Sequence, residues 1–336
     1  MSKVLVTFEP RDDGERAAVA KHLPDAAWLV DGADPEGAEA ILTFWPRREF
    51  TKAGLELAAL PDLKLVQLAT AGANHVPWSL LPEHVPVAAA PGATAPFIAE
   101  HVLAVTLAWA RGLFHQTAEI KAGRFDVGAP VRSLSELTVG LVGYGGIGKH
   151  TARLLGGLGA RCIAVTRSGA AAADEAVAWC AGMEHLPSLL AEADVIVLCL
   201  PLTSETQNLV DIDFLAPLMG RRVLLVNVAR GLIVDEVALH AWLDSSHTKH
   251  WAALDTWWQY PPNGEGRPFT EAFHQLPNVI MTPHNSPNVA GYRHAMLEAA
   301  AARLAKWQKS GEVEEKDLVD RAAHRLHGGG DGDPRG

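Results

Sequence analysis

The stretch LTVGLVGYGGIG, Leu137 to Gly148, decides the fold class of this chain. An apolar run, Val139 to Val142, enters a glycine turn with the spacing G-x-G-x-x-G at Gly143, Gly145 and Gly148. The helix-compatible segment KHTARLLGGLGA follows at once. Strand, tight turn and helix in that order build a cradle for a pyrophosphate. Gly143 permits the turn, Gly145 lets phosphates approach the backbone, and Gly148 lets helix pack on strand. Free N–H groups at the helix start then face the anion. An ordinary strand-to-helix turn also uses glycine, so the placement between strand and helix carries the reading.

On both sides of this turn, short β-rich runs alternate with helical patterns, the signature of parallel sheets covered by helices. The first third predicts strands at Lys3 to Phe8, Ala27 to Val30, Ala40 to Phe44, Leu63 to Leu68 and Val87 to Ala89. A second set is expected at Thr138 to Val142, Arg161 to Thr166, Val195 to Leu200, Val223 to Val226, Ala252 to Leu254 and Val279 to Thr282. Between the sets, TAPFIAEHVLAVTLAWARGLFHQ is apolar nearly all round, with Pro96 placed for a helix first turn. A helix so apolar must be buried, under a domain or against another subunit. A further helical pattern runs from Asn288 to Lys309, and Gly328 to Gly336 is too polar and glycine-rich to pack.

With 336 residues, the chain exceeds one typical core, and two domains are expected. Its formal net charge of -10 argues against nucleic acid as partner, because neutralising phosphates needs a basic surface. Cys162, Cys180 and Cys199 are scattered, match no metal-ligand spacing and suit a reducing compartment. The N-terminus meets Glu9, Arg11 and Asp12 too early for a signal peptide, and Val102 to Ala110 is too short to span a bilayer. The expectation is a cytoplasmic enzyme with no metal and no membrane partner.

Seven blocks then occur in one order: AGANHV (Ala71 to Val76), APGATAPFIAEH (Ala90 to His101), GYGGIG (Gly143 to Gly148), ADVIVLCLPLTSETQNLV (Ala193 to Val210), VNVARGLIVDEVAL (Val226 to Leu239), ALDTW (Ala253 to Trp257) and TPHN (Thr282 to Asn285). In these blocks the chain resembles the D-2-hydroxyacid dehydrogenase family, on its glyoxylate/hydroxypyruvate reductase side. The resemblance implies two doubly wound parallel-sheet α/β domains. A Rossmann dinucleotide domain, residues 100–288, is inserted in a discontinuous, flavodoxin-like substrate domain of residues 1–99 and 289–327, with 328–336 a disordered tail. It also implies a homodimer and reversible conversion of a small 2-oxo acid to a D-2-hydroxy acid.

Arg230 is the implied catalytic arginine. A 2-oxo acid offers a carboxylate and a carbonyl oxygen in one plane, which a guanidinium fork grips and a lysine does not. His284 is the implied general acid/base. The family usually places a glutamate five residues after the aspartate of the ALD block, and here that position is Tyr260. A phenol is neutral near pH 7 and lacks a carboxylate's electrostatic effect. Three readings are open. Tyr260 hydrogen-bonds and orients His284, Glu265 or Glu271 folds back in its place, or catalysis is reduced. The first is favoured, because the phenol has a directional O–H and Pro261 is retained. Formate dehydrogenases carry glutamine there, but Gln259 is one position short.

For the cofactor, the resemblance implies contacts from Gly143, Gly145, Gly146, Ile147, Gly148, Leu200, Pro201, Thr206, Val228, Ala229 and Asp255, the last holding the nicotinamide carboxamide. Asp255 at a strand end also has a purely local alternative, capping backbone N–H groups. An NAD site carries an acid about 20 residues past the glycine motif. Here AVTRSG supplies Thr166, Arg167 and Ser168 instead. NADP(H) is therefore favoured and NAD(H) possible, the alternative being an exposed turn that accepts either.

Ala71, Gly72 and Ala73 form a small-residue loop whose amides are placed for the substrate carboxylate opposite Arg230. Asn74 stands where relatives often have aspartate. Trp45 and Trp257 are candidate pocket walls, with domain or subunit packing an equal alternative. Two rival functions stand: a relative acting on formate, a phosphonate or another small anion, and a non-catalytic dinucleotide sensor. Retention of both Arg230 and His284 argues against the sensor.

Overall fold

The computed structural model describes residues 2–167, 169, 175–247, 249–261 and 264–324. Its strands are β1 (Lys3–Val6), β2 (Ala27–Trp28), β3 (Ala38–Thr43), β4 (Leu65–Leu68), β5 (Val87–Ala88), β6 (Thr138–Val142), β7 (Arg161–Thr166), β8 (Trp179–Gly182), β9 (Val195–Leu198), β10 (Val223–Asn227), β11 (His250–Leu254) and β12 (Val279–Met281). They form two sheets, ordered β2-β1-β3-β4-β5 and β12-β11-β10-β9-β6-β7-β8. Every pairing of these strands is parallel. The first order is flavodoxin-like and the second contains the dinucleotide-binding order, as the two-domain expectation requires.

The helices are α1 (Asp13–Ala20), α2 (Pro46–Ala53), α3 (Ala95–Ala110), α4 (Leu113–Lys121), α5 (Gly146–Gly157), α6 (Leu186–Glu192), α7 (Ile212–Leu215), α8 (Glu236–Asp244) and α9 (Tyr292–Ser310). On the first sheet, α1 and α9 cover one face and α2 the other. On the second, α3 and α5 cover one face and α6, α7 and α8 the other. Residues in β9 and β10 are buried on both sides. That is why VIVL and VLLVN read as unbroken apolar runs rather than alternating ones.

The chain crosses from one sheet to the other through α3 and returns through α9. Val102, Val105 and Trp109 of α3 pack with Ala152 and Leu155 of α5, so the apolar segment is indeed a core helix. It ends at Gly112, left-handed at φ 63°, and α4 starts anew. No single helix among the described residues is long and apolar enough to cross a membrane. At the return, Arg293 on α9 donates to the buried Glu15 carboxylate of α1 (Nη2 to Oε2 3.1 Å). Burial alone would push the Glu15 carboxyl up. The Arg293 guanidinium and the Arg11 N–H outweigh it and hold the group below its ordinary range.

Three details differ from the sequence reading. β8 was not expected: WCAG is short and follows an alanine-rich stretch with no strand signal. The run Ala27 to Val30 is extended for two residues only and then turns into a short 3-10 helix at Leu29–Asp31. The return helix starts at Tyr292, after the left-handed Gly291, rather than at Asn288. The tail expected at 328–336 lies outside the described residues.

Candidate active site

Parallel strands place all their carboxyl ends on one edge, and the candidate residues follow that edge in strand order. His284 follows β12, Asp255 and Tyr260 follow β11, Arg230 follows β10, Leu200 to Thr206 follow β9, Gly143 follows β6, and Thr166 ends β7. Neighbouring strands lie about 4.8 Å apart, so the strands carrying Arg230 and His284 are separated by roughly 10 Å.

The glycine turn has the shape its spacing predicts. Gly143 has φ 102°, and a Cβ there would fall 2.6 Å from the Cys199 carbonyl oxygen. A Cβ on Gly148 would fall 2.5 Å from the Gly143 oxygen. Over Gly145, by contrast, nothing lies within 4 Å of that position. The turn is therefore closed toward the protein and open where a pyrophosphate must approach α5, and the residues fit such a group. Cys199 donates its thiol to the Gly143 oxygen at 2.9 Å, and burial pushes it up to about 12. It props the turn and stays protonated.

Val228 and Ala229 are 5% exposed each and enclose the approach to Arg230. Asn227 fixes that approach: its Nδ2 donates to the Arg230 oxygen at 2.9 Å and its Oδ1 accepts from the Ala229 N–H at 3.0 Å. The guanidinium is held in turn. Nη1 donates to the Ala229 oxygen at 2.7 Å and Nε to Asn74 Oδ1 at 3.2 Å. Nη2 sits where a side chain on Gly72 would begin, 1.9 Å from an ideal Cβ. The loop Ala71 to Ala73 is thus brought onto Arg230 from the other sheet, with Ala71 exposed and Ala73 buried.

His284 stands in the left-handed region at φ 54°, a conformation costing a non-glycine residue of order 1–3 kcal/mol unless its surroundings fix it. Asp255 does so. The Thr282 hydroxyl donates to Oδ1 at 2.6 Å, the Asn285 N–H to Oδ1 at 3.1 Å and the Ser286 N–H to Oδ2 at 3.1 Å. The carboxylate brackets His284 from both sides, using three of its roughly four acceptor positions. Tyr260 Oη lies 2.8 Å from His284 Nδ1 and accepts the Trp257 N–H at 3.5 Å.

Trp257 is 5% exposed, and its indole N–H donates to the Thr282 oxygen at 2.8 Å. It supports the histidine loop from below, so packing describes it better than a pocket wall. Gly231 is needed there, since a Cβ would lie 2.1 Å from the Trp257 carbonyl. Trp45 is half-buried and meets the His75 ring edge-on, centroids 4.6 Å apart. Glu49 organises its loop, accepting from the Thr7 hydroxyl (2.6 Å), the Thr43 hydroxyl (2.5 Å) and the Trp45 N–H (3.0 Å).

At the cofactor end, Gly146 is exposed beside Gly92 and Ala95, Ile147 is half-buried, and Pro201 is exposed beside a half-buried Leu200. Thr206 caps its own turn, accepting from the Thr203 N–H at 2.8 Å and donating to the Pro201 oxygen at 2.7 Å. Thr166 is half-buried and accepts the Gly169 N–H at 3.1 Å, and Arg167 is exposed. Ser168 lies outside the described residues.

Residues 103–286 match the family model for the D-isomer specific 2-hydroxyacid dehydrogenase, NAD binding domain. A glyoxylate reductase of Thermococcus kodakarensis is 36% identical over 52% of this chain, and the match spans only half of that enzyme, 50%. A glycerate dehydrogenase of Methylorubrum extorquens is 30% identical over 74% of this chain and 76% of its own. Among solved structures, a D-isomer specific 2-hydroxyacid dehydrogenase from Xanthobacter autotrophicus Py2, in complex with NADPH and MES, superposes with a TM-score of 0.76. It is 30% identical and covers 95% of this chain and 98% of that one.

The bracketing of His284 gives a direct test. Replacing Asp255→Ala removes three hydrogen bonds to a charged acceptor, and a loss of about 3 kcal/mol in urea unfolding is expected. Amide hydrogen exchange at Asn285 and Ser286 should speed up while that of β10 keeps its order of protection. Unchanged exchange at those two amides would show that the loop holds without the carboxylate.

Proposed function

The chain belongs to the D-isomer specific 2-hydroxyacid dehydrogenase family, and from that premise we propose that it reduces a small 2-oxo acid to the D-2-hydroxy acid, reversibly, with NADP(H). The observation that carries the reading is the fixed guanidinium of Arg230, met by the Gly72 backbone from the opposite sheet. Residues 1–99 and 289–327 act as the substrate domain, and 100–288 as the cofactor domain. Arg230 grips carboxylate and carbonyl oxygen together, with the amides of Ala71 to Ala73 opposite. Gly143 to Gly148 would seat the dinucleotide, whose nicotinamide would supply or accept the hydride.

His284 moves the proton. Its Nδ1 faces the Tyr260 phenol, and in this reading Nε2 meets the substrate oxygen. Tyr260 Oη already accepts from the Trp257 N–H, so its own proton is available to a neutral imidazole. When the ring is an imidazolium, the same oxygen accepts from Nδ1–H. The phenol follows the imidazole through both protonation states, which supports an orienting role. Asp255, with an acceptor position left over, holds the nicotinamide carboxamide while bracketing the loop. Gln259 is exposed and donates to Thr270 at 3.1 Å, which gives a formate-type site no support.

Cofactor preference rests on Thr166 and Arg167, where no carboxylate opposes a 2′-phosphate and a guanidinium is at hand. A second copy of this chain is the partner. Leu113, Phe114 and Ile120 of α4 are about half exposed, and Phe125 and Val127 beyond it are 82% and 89% exposed. This apolar arm adjoins the α3–α5 core and fits a matching arm in a two-fold dimer.

Turnover of glyoxylate and hydroxypyruvate with NADPH, at a kcat/KM at least tenfold above that with NADH, is the expected result; Arg230→Lys should lower it by more than about a hundredfold. An enzyme that prefers NADH would refute the cofactor assignment, and no turnover with any 2-oxo acid would refute the reaction.

Tyr260→Glu places a carboxylate beside the imidazole, which favours the charged ring. Reduction needs that charged ring, so its loss at high pH should move upward in the variant. An unmoved pH profile would take Tyr260 out of the proton-transfer site. In sedimentation velocity the wild type should run as a dimer and Phe125→Glu/Val127→Glu as a monomer, whereas a monomeric wild type would remove the dimer.

A further inference from the structure

The proposed reaction assigns no task to Asn74, yet its side chain makes two contacts that cross between the sheets. Oδ1 accepts from Arg230 Nε at 3.2 Å, and Nδ2 donates to the Leu202 carbonyl oxygen, also at 3.2 Å. Leu202 lies in the Leu200 to Thr206 turn that flanks the cofactor in the reading above. We propose that Asn74 is a positioning residue, which sets the Arg230 guanidinium for the substrate carboxylate and ties that setting to the cofactor turn.

The chemistry of the amide makes the assignment specific. One end must accept from a cation and the other must donate to a carbonyl, and asparagine does both at this length. Aspartate keeps the first contact and loses the second, setting a carboxylate against the Leu202 oxygen. Relatives often carry aspartate here, and it keeps the contact to Arg230. Alanine removes both contacts. The turn carries a second tie to the substrate half: the Ser204 N–H donates to the Ala323 oxygen at 3.1 Å. Arg321, two residues earlier, is anchored on the carbonyls of Trp78, Leu81 and Pro82, just beyond Asn74. The loop after β4 and the C-terminal segment thus hold one short turn between them, and the Asn74 tie reaches the guanidinium.

This inference rests on the reductase reading, and the experiment separates the two. Oxamate, a planar 2-oxo acid mimic, is titrated by calorimetry into the NADPH-loaded wild type, Asn74→Asp and Asn74→Ala, with NADPH affinity, melting temperature and glyoxylate kinetics measured alongside. Asn74→Ala should weaken oxamate and raise the glyoxylate KM by about tenfold or more, and Asn74→Asp, which keeps the Arg230 contact, by less, with NADPH affinity held within about twofold. Melting temperature should stay at the wild-type value in both. A wild type that binds oxamate and turns over, with Asn74→Ala binding it equally well, overturns this inference alone. Loss of NADPH affinity in step with oxamate marks Asn74 as merely structural and overturns it too. A wild type that neither binds oxamate nor turns over defeats the reductase reading and this inference with it.

Discussion

Parallel pairing is the constraint from which the rest of this molecule follows. A strand that runs with its neighbours must return by a helix, so both sheet faces are covered and every connecting loop of one kind emerges at the carboxyl edge. In the second sheet that edge carries, in spatial order, the histidine loop, the Asp255 segment, the arginine turn, the cofactor turn and the glycine turn. In sequence they come in the same order reversed, spread from Gly143 to His284. The sheet gathers them with no need for any two to be neighbours in the chain. The first sheet adds the loops after β3 and β4 from the opposite side, and Gly72 and Asn74 meet Arg230 there.

Two buried polar groups sit along that edge. Asn227 and Asp255 are each about 1% exposed, and each ends a strand whose next residues must turn sharply. A buried polar side chain is tolerated when its hydrogen-bonding capacity is used, and here the partners are the backbone groups of the functional turns. Asn227 fixes the backbone of Ala229 and Arg230. Asp255 fixes the residues on either side of His284. Glu49 does the same for Trp45 on the first sheet. Arg230 and His284 thus stay half-buried while their loops are held by groups that water does not reach.

Such an architecture is legible in sequence where burial imposes a pattern. The fully enclosed strands VIVL and VLLVN were evident, as was the glycine turn, because a left-handed residue and a close helix approach leave few alternatives. The edge strand β8 was not: WCAG pairs on one side only and lacks the run that double burial enforces. The residues expected at the active site fell on loops that the sheet does bring to one edge. Their supports escaped notice. Nothing in the chain couples Asn74 to Arg230, 156 positions away, or Thr282 to Asp255, 27 away, since each pairing exists only once the strands are in register. Trp257 was left open between pocket wall and packing for a related reason, because an aromatic next to such a loop reads the same whether it faces ligand or core.

The departure at Tyr260 makes sense beside the aromatic character of its surroundings. Trp258 stacks on Phe273 at 5.2 Å, Phe269 meets Phe273 edge-on at 5.7 Å, and Trp257 lies 5.5 Å from Phe269. Tyr260 packs against this apolar cluster. A carboxylate at the same place would surrender water to an aromatic wall, and its desolvation would need repayment by a permanently charged imidazole. A phenol loses little there and still offers one donor and one acceptor to the ring. The nearby carboxylate of Asp255 is spent on the Thr282 hydroxyl and the Asn285 and Ser286 N–H groups. Under the proposed reaction, orienting the imidazole therefore falls to Tyr260, while Asp255 holds the loop that carries it.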